Sequence, residues 1–188
     1  MPYLSRKKLI SLNFKRIGKN VLISDKASIY NTQEISIDDN TRIDDFVIIS
    51  GKVSFGKYVH IATHTSVSGG TAGIIFSDFS SCAYNCHLFS QTDDYSGSSM
   101  TNPTVPQKYA NPKKGPIYVG RHVIIGTGSI VFPGTRIEDG CSIGAMSLVN
   151  KSTEPFSIYV GVPAKKIKPR KKDFLKFEKL MLKIKIKN

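Results

Sequence analysis

Aliphatic side chains recur at every sixth position along most of the chain, and this period predicts its architecture. The longest unbroken series consists of Val119, Ile125, Val131, Ile137, Ile143 and Val149. The same step runs through three shorter series, namely Ile17 to Ile35, Ile37 to Ile49 and Phe55 to Val67. A period of six fits neither the 3.6-residue turn of an α-helix nor the two-residue alternation of a simple strand.

Two other positions of the repeat are also restricted. The residue after the aliphatic one is often glycine or acidic, as at Gly18, Asp38, Asp44, Gly56, Gly120, Gly126, Glu138 and Gly144. The residue four places after it is mostly small or β-branched, as at Thr41, Thr65, Ser129, Thr135 and Ser147. We interpret each repeat as one flat side and one corner of a triangular coil, in which the glycine or acidic residue permits the turn. Three repeats close a coil, and the coils stack by parallel strand pairing, so the fold needs several coils.

The period disappears between Leu88 and Ile117. The intervening segment, about residues 89–116, holds four prolines, two glycines and many polar residues, which is typical of a loop. Long loops on a rigid scaffold are often functional. We therefore expect a loop that projects from the coils and contributes to a site.

A different pattern follows Pro169. Apolar side chains at Phe174, Phe177, Met181 and Ile184 have nearly helical spacing, and Asp173 is placed to cap the start. We divide the chain into a coiled domain, residues 1–168, and a basic amphipathic helix or tail, residues 169–188. The tail is expected to pack on the coils. Contact with an anionic membrane surface is the alternative, and the Lys-Ile alternation at its end also allows a frayed strand.

The charge of the chain is strongly basic and unevenly distributed. The net charge is +13, and residues 165–187 carry eleven Lys and Arg against two acids. Such an excess favours an acidic partner, either nucleic acid, anionic lipid or a phosphorylated small molecule. Basic and aromatic residues are not interleaved in the body of the chain, so a nucleic-acid partner is not expected.

The remaining bulk features favour a cytoplasmic protein. The chain has neither a run of about 18 apolar residues nor a secretory signal at its start. The three cysteines, Cys82, Cys86 and Cys141, do not form a disulfide framework. Cys82, Cys86 and His87 suggest a metal site only weakly, because a second pair of soft ligands at a fitting distance is missing. No metal is expected.

Two segments are more specific than the repeat, namely residues 119–129, VGRHVIIGTGS, and residues 159–167, YVGVPAKKI. Together with the repeat they resemble the hexapeptide-repeat acyltransferases, in the branch of galactoside, maltose and polysaccharide O-acetyltransferases. That branch also contains N-acetyltransferases of nucleotide-linked amino sugars. The resemblance implies an all-β fold, a left-handed parallel β-helix with a projecting loop and a short C-terminal helix. It also implies a homotrimer in which acetyl-coenzyme A lies between adjacent subunits.

The resemblance also implies where acetyl-coenzyme A binds. The residues in the closing coils and at the exit from them are Gly126, Thr127, Gly128, Gly144, Ala145, Pro163, Ala164, Lys165 and Lys166. The basic Lys165, Lys166, Lys168 and Arg170 are then expected to bind its phosphate groups through charge-assisted hydrogen bonds.

Acetyl transfer needs a base that takes the acceptor's proton, and neutral histidine suits this task near pH 7. The galactoside and maltose enzymes carry that histidine in the loop, where this chain has Asp93. The base is therefore expected elsewhere. We favour His60, because similar enzymes with an Asp-Asp-Tyr-Ser-Gly loop keep a histidine in that repeat. His87 is second and His64 third, whereas His122 is expected to be a bystander.

Asp93 or Asp94 is expected to orient the imidazole ring of the base. The expected contacts to the acceptor come from polar and aromatic side chains, namely Tyr84, Asn85, Asp94, Tyr95 and Asn102. The first prediction of function is O-acetylation of a saccharide in surface polysaccharide synthesis. N-acetylation of a nucleotide-linked amino sugar is the alternative. Weaker alternatives are a metalloenzyme resembling the γ-carbonic anhydrases and a non-catalytic β-helix scaffold.

Overall fold

The chain winds around one axis as a three-sided parallel β-solenoid of about seven turns. The structure is a computed structural model that describes residues 2–186, with side-chain surroundings as far as Lys183. Each short strand pairs in parallel with the strands one coil before and one coil after it on the same face. The parallel solenoid predicted from the six-residue period is therefore confirmed.

Successive strands lie on the first, second and third face in turn. The first face contains β1 (Arg16–Ile17), β4 (Ile35–Ile37), β7 (Val53–Phe55), β10 (Ile74–Phe76), β15 (Ile117–Val119) and β18 (Arg136–Ile137). The second contains β2 (Leu22–Ile23), β5 (Arg42–Ile43), β8 (His60–Ile61), β11 (Ser81–Cys82), β16 (Ile124–Ile125), β19 (Ser142–Ile143), β21 (Ser157–Val160) and β22 (Lys165–Pro169). The third contains β3 (Ser28–Ile29), β6 (Ile48–Ser50), β9 (Ser66–Ser68), β12 (His87–Phe89), β17 (Ile130–Val131) and β20 (Leu148–Val149).

The aliphatic residues of the repeat form the core. They are stacked one above another along the axis and almost all are fully buried, for example Ile43, Ile61, Ile125 and Ile143 on the second face. Cys82 takes the aliphatic place between Ile61 and Ile125. The series read from the sequence stops at Val67 because the third corner that follows is longer, and the next inward residue on the first face is Phe76. Each coil buries its apolar side chains only against its neighbours, so stability is shared along the stack.

The geometry of the corners differs from the expectation for the glycine position. Gly126 does not have a positive φ, and the left-handed residue lies two places later, at Gly128. A Cβ on Gly126 would lie 2.5 Å from the backbone nitrogen of Ala145 in the next coil. Glycine is therefore needed at this position because the next coil approaches closely, and not because the turn needs its conformational freedom. The expectation that this residue permits the turn is wrong.

The three corners carry different structures. The first corner joins the first face to the second, at residues 18–21, 38–41, 56–59, 77–80, 120–123 and 138–141. The second corner joins the second face to the third, at residues 24–27, 44–47, 62–65, 83–86, 126–129 and 144–147, and the turn at 161–164 between β21 and β22 lies directly above it. The third corner joins the third face to the next coil, and it includes the long excursion at 90–116.

The predicted loop leaves the solenoid at the third corner. It starts after β12 and returns at β15, and its base is the antiparallel pair β13 (Gln91–Thr92) and β14 (Lys113–Lys114). A 3₁₀ turn at Thr32–Glu34 lies at the same corner, and a second one, Gln107–Tyr109, lies inside the loop.

The ends of the chain cover the solenoid. The helix α1 (Arg6–Ser11) precedes the first coil, and its Leu9 is buried in the core. After β21 the chain turns back as β22, which pairs antiparallel with it, and then forms the helix α2 (Phe174–Ile186) directly after Asp173. Lys183 to Ile186 are helical rather than a frayed strand, and Lys187 lies outside the described residues. Neither helix in the described residues is both long and apolar enough to cross a bilayer.

The tail packs on the first corner, as expected for the amphipathic helix. Phe79 stacks between Tyr58 and His122, with ring centroids 4.8 and 4.9 Å apart. Phe174 of α2 covers the outer side of His122 at 4.8 Å. Glu178, one turn further along α2, accepts a hydrogen bond from the His122 ring at 2.7 Å.

Candidate functional site

The second corner brings together the residues predicted to bind the acyl donor. Tyr84, Thr127, Ala145 and Gly161 lie at equivalent positions of this corner in four successive coils. Backbone hydrogen bonds connect them, from Gly128 N to Tyr84 O at 2.9 Å, from Met146 N to Thr127 O at 2.8 Å and from Leu148 N to Gly161 O at 3.0 Å. The predicted donor-binding residues therefore form one continuous strip, and the predicted acceptor residues Tyr84 and Asn85 lie at its lower end.

The surface of this strip is apolar at the corner and basic at the exit. Tyr84 is 59% exposed, and Met146 and Val162 are each 71% exposed. Lys165 and Lys168, on β22 just beyond the corner, are exposed as well. An apolar surface next to free ammonium groups suits a ligand that joins a neutral chain to phosphate groups, as coenzyme A does.

Two of the four basic residues predicted to bind phosphate have partners within the chain. Lys166 Nζ lies 2.6 Å from Glu154 Oε2 in an exposed ion pair. Arg170 Nη1 donates to the carbonyl oxygens of His122, Gly140 and Cys141 at 2.7, 3.2 and 3.1 Å. Burial lowers the pKa of the Arg170 guanidinium. Arg170 therefore fastens the tail to the first corner, away from the predicted donor strip.

His60 lies on the outer surface of the second face, just before the second corner. Its Nε2 is 2.8 Å from Oδ2 of Asp44, a carboxylate that is only 7% exposed. The other oxygen of Asp44 accepts a hydrogen bond from Arg42 Nε at 2.6 Å. The ring remains accessible, because the His60 side chain is 43% exposed. An ordered, accessible imidazole with one nitrogen bound to a carboxylate is well suited to accept a proton.

The other two candidate histidines lie in the same corner or directly after it. His64 occupies the corner itself with a φ of 61°, and its ring stacks on Phe46 at 5.0 Å. His87 follows the corner on the third face, between Ser66 and Ile130 in the neighbouring coils. In the part of the chain that the structure describes, no hydrogen bond or ion pair holds the His87 ring. Of these histidines, His60 has the carboxylate partner expected of a base.

His122 occupies a position equivalent to that of His64, but on the first corner. Its φ is 58°, and its ring is packed between Phe79 and Phe174. Only 13% of its side chain is exposed, and Glu178 binds Nε2. These contacts are structural, which agrees with the expectation that His122 is a bystander.

The loop gathers a separate group of predicted residues. Asp93, Tyr95 and Asn102 line one open cavity of about 550 Å³ at the third corner, together with Lys114. Asp93 Oδ2 accepts a hydrogen bond from Asn102 N at 3.1 Å. This cavity and the second corner lie at different edges of the same subunit.

Asp94 organises the loop from within. Its carboxylate accepts hydrogen bonds from the hydroxyls of Ser98 and Ser96 at 2.7 Å, and from that of Ser99 at 3.2 Å. These hydrogen bonds, first that of Ser98 and then those of Ser96, hold the pKa of Asp94 well below its usual range. Within the chain, the carboxylate that binds His60 belongs to Asp44, and orientation of the base by Asp93 or Asp94 stays a prediction.

Asp44 and Arg42 belong to this arrangement, although the six-residue pattern did not single them out as site residues. Arg42 pairs with His60 in the register of β5 and β8, since the two residues are 18 positions, or one coil, apart. Asp44 follows two places after Arg42, on the same outer side. The sequence therefore did carry a signal for this arrangement, namely a basic and an acidic residue about one coil before a histidine.

The structure does not support a site made from Cys82, Cys86 and His87. Both cysteines are buried in the core, and burial raises the pKa of the Cys82 thiol, whereas His87 lies on an outer face. Among the described residues, no group of three His, Cys, Asp or Glu side chains is arranged to hold a metal ion.

Comparisons with known proteins identify close relatives. The chain is 42% identical to dTDP-4-amino-4,6-dideoxy-D-glucose acyltransferase of Escherichia coli over 181 residues, which cover 95% of this chain and 94% of the relative. It is 32% identical to WbbJ, a lipopolysaccharide biosynthesis O-acetyl transferase of E. coli K12, over 65% of this chain and 60% of the relative. No family model matches the chain.

Solved structures give the same relationship. AntD, an N-acyltransferase from Bacillus cereus, in complex with dTDP and 3-hydroxybutyryl-CoA, is 46% identical and covers 96% of each chain with a TM-score of 0.95. A variant of AntD was solved with dTDP-4-amino-4,6-dideoxyglucose and coenzyme A, at 47% identity and the same TM-score. A maltose O-acetyltransferase from Clostridium difficile, 20% identical with a TM-score of 0.55, shares the fold alone.

The six-residue period, the solenoid and the relatives along almost the whole chain all agree with the resemblance read from the sequence. The chain belongs to the hexapeptide-repeat β-solenoid acyltransferases, and it is an acyltransferase.

Proposed function

We propose that this protein transfers an acyl group from acyl-coenzyme A to the amino group of a dTDP-linked 4-amino-4,6-dideoxy sugar. The observation that carries the proposal is the similarity along 95% of the chain to an acyltransferase of that sugar nucleotide. The AntD complexes with dTDP, the amino sugar nucleotide and coenzyme A support it. The relatives therefore favour the amine acceptor over the saccharide hydroxyl that the sequence analysis placed first, for which WbbJ is the supporting relative.

The described residues fit the two substrates at one edge of the solenoid. Acyl-coenzyme A supplies the activated acyl group as a thioester. The strip at the second corner, including Ala145, Pro163 and Ala164, is proposed to hold its neutral arm, and Lys165 to bind phosphate. Tyr84 and Asn85, at the lower end of the strip, are proposed to contact the sugar. Holding both substrates at one corner lowers the entropic part of the barrier.

His60 is proposed to be the base. It accepts the proton that the attacking amine loses as the new amide bond forms. The thioester C–S bond breaks in the same transfer, and the proton passes to the departing thiolate, which leaves as free coenzyme A. His60 lies one coil below Ser81 on the second face, just before the second corner, and its ring is accessible. His87 and His64 flank the same corner and are the alternatives.

A homotrimer is proposed to complete each site. The second corner exposes a row of large apolar side chains, including Phe46, Tyr84 and Met146, and a lone soluble subunit rarely leaves such a row uncovered. The loop of one subunit is then placed to wall the second corner of its neighbour, so that Asp93, Tyr95 and Asn102 contact the acceptor there. Light scattering in solution tests the trimer, and a monomer at working concentration would contradict it.

We propose a cytoplasmic location for the enzyme, with peripheral contact between its tail and a membrane. On α2, Phe177 and Leu180 are 69% and 57% exposed, among lysines such as Lys176 and Lys179. An exposed apolar strip flanked by lysine suits the surface of anionic lipid. Sedimentation with vesicles of anionic lipid tests this contact, with neutral vesicles as the control.

The activity is tested by release of free thiol from acetyl-CoA and 3-hydroxybutyryl-CoA with a matched pair of acceptors. The first is dTDP-4-amino-4,6-dideoxyglucose. The second is dTDP-6-deoxyglucose, which carries a hydroxyl in place of the amine. We expect turnover with the first and a far lower rate with the second. Preference for the hydroxyl acceptor, or for a free saccharide such as maltose, would overturn the proposal in favour of O-acetylation. Thiol release with no acceptor at all would show hydrolysis only.

A further inference from the structure

We propose that Asp44, held by Arg42, is a positioning residue that fixes the imidazole of His60 with its proton on Nε2, so that Nδ1 faces the acceptor as the basic nitrogen. This inference rests on the proposed function, because it concerns how the proposed base is prepared. Asp44 does not reach the acceptor in this scheme, and it acts only through His60.

The register of the second face creates the arrangement. Arg42 on β5 and His60 on β8 are direct neighbours in adjacent coils, and both point outward. Asp44 lies between them, with one oxygen 2.6 Å from Arg42 Nε and the other 2.8 Å from His60 Nε2. Both oxygens are therefore engaged, and the carboxylate is nearly buried while its two partners are each 43% exposed.

The chemistry of the three groups determines the tautomer. An ionised carboxylate only accepts hydrogen bonds, so the ring nitrogen that faces it has to be the one that carries the proton. A neutral imidazole has one N–H and one lone pair, and the lone pair is then on Nδ1. Arginine stays charged at any working pH, and the hydrogen bond from Arg42 Nε prevents the Asp44 carboxylate from turning away.

The chain contains its own structural comparison. His122 also binds a carboxylate through Nε2, that of Glu178, at 2.7 Å. Its ring is covered on both sides by Phe79 and Phe174, so a fixed tautomer there has no acceptor to serve. The His60 pair differs in that the ring is exposed next to the corner that gathers the predicted substrate residues.

The test replaces Asp44 by asparagine, which keeps the shape and removes the charge. In Asp44→Asn, the side-chain oxygen still accepts the hydrogen bond from Arg42. The amide N–H group then faces Nε2 of His60 and donates to it, so the ring proton moves to Nδ1. We expect kcat to fall about 10- to 100-fold, a part of the 10²–10⁴-fold that a general base contributes. The KM values for both substrates should stay within about twofold, because Asp44 touches neither. Nitrogen-15 NMR of the His60 ring should show the proton on Nε2 in the parent protein and on Nδ1 in the variant.

Glu178→Gln is the matched control. It makes the same change at the His122 pair and should alter the ring signals of His122 while kcat stays as in the parent. Arg42→Gln is the second variant, because Arg42 is on the surface and its loss leaves the core intact. We expect it to lower kcat a few-fold and to weaken the Nε2–H signal of His60.

The outcomes separate this inference from the function on which it rests. Suppose that the parent is active and His60→Gln is not, but Asp44→Asn and Arg42→Gln keep the parental kcat. The role of Asp44 is then overturned while the proposed function stands. A His60 proton found on Nδ1 in the parent would also overturn it, whatever the activity. If the parent is inactive with every acceptor, the proposed function fails and this inference fails with it.

Discussion

The first and second corners of the solenoid use the same turn of the same repeat for different purposes. On the first corner, Tyr58, Phe79 and His122 form an aromatic stack that Phe174 of the tail covers. On the second, the stack of Phe46 on His64 ends after two coils, because Asn85, Gly128 and Met146 take the next equivalent positions. One corner is closed by the chain itself, and the other is left open.

The difference shows that the repeat alone does not distinguish a structural histidine from a functional one. His64 and His122 have nearly the same φ, and each stacks on a phenylalanine one coil earlier. The tail makes the difference between the two histidines, because Glu178 and Phe174 contact His122 on the first corner and do not reach the second. A histidine on a solenoid is therefore best interpreted from what covers it, and the corner that nothing covers is the better candidate for a site.

The largest expected effect is a fall in kcat when His60 is replaced, which contrasts with a loss of stability when His122 is replaced. His60→Gln should lower kcat by about 10²- to 10⁴-fold at unchanged thermal stability, since its side chain is exposed and its proposed task is proton transfer. His122→Gln should instead lower the melting temperature and leave kcat nearly as it was. Steady-state kinetics with the amino sugar nucleotide measure kcat of both variants, and thermal melts measure their melting temperatures.

His87→Gln and His64→Gln complete that series. If His60→Gln retains activity and one of these two loses it, the base moves to that residue, but it still lies at the second corner. Loss of activity in a folded His122→Gln variant, with the other three variants active, would contradict the comparison of the corners as a whole.

The second effect concerns the glycines that precede the turns. A Cβ at Gly126 on the second corner would lie 2.5 Å from Ala145 N, and one at Gly120 on the first corner 2.6 Å from Asp139 N. Both Gly→Ala variants should therefore lose about 1–3 kcal/mol of unfolding free energy, measured by urea denaturation. If the second corner binds the acyl donor, only Gly126→Ala should also raise the KM for acyl-CoA when both variants are assayed fully folded. Equal KM values would place the donor elsewhere.

The third effect is the release of the tail from the first corner. Burial alone would raise the pKa of Glu178, but hydrogen bonds from His122 and Arg121 outweigh it and lower the pKa. A carboxyl with a lowered folded-state pKa contributes stability that is complete above its unfolded value of about 4.3 and is lost as the pH falls through the folded value. The protection factors of the amides in residues 174–183, which correct for the intrinsic pH dependence of hydrogen exchange, should therefore fall below about pH 4.

Glu178→Gln should release the tail in part at pH 7. The free energy that holds the tail on the first corner should fall by about 1–2 kcal/mol, because the charge-assisted hydrogen bonds are weakened. Asp173→Asn is the control, since Asp173 is exposed and its carboxylate pairs, among the described residues, with Lys176 alone. A tail that exchanges equally in the parent and in Glu178→Gln would show that the ion pair does not hold it.

The sequence predicted the solenoid well, because one inward aliphatic residue in six is imposed by every coil and repeats many times. The site was less accessible to that reasoning. The link from Asp44 to His60 depends on register across a coil, and the choice of corner depends on where the tail returns, as Glu178 does to His122 from 56 positions away. Neither follows from a local pattern. Gly126 shows the same limit. The sequence pattern shows that glycine recurs at this position of the repeat, but the physical reason is the close approach of the next coil, which the pattern does not show.

The smallest effect distinguishes the lysines at the exit from those of the tail. Lys165 lies at the start of β22 beside the second corner, and Lys168 lies further along the strand, opposite Ile158. Lys171 lies beyond Arg170, which the first corner holds. Exposed charges contribute about 0.2–1 kcal/mol each, so Lys165→Ala and Lys168→Ala should raise the KM for acyl-CoA by about 1.5- to 5-fold. Lys171→Ala should leave it unchanged. The increase should shrink as salt is raised from 0.05 to about 0.5 M, because salt screens exposed charges. If all three variants behave alike, the basic exit acts only through net charge, and the phosphate groups have no specific partner at the second corner.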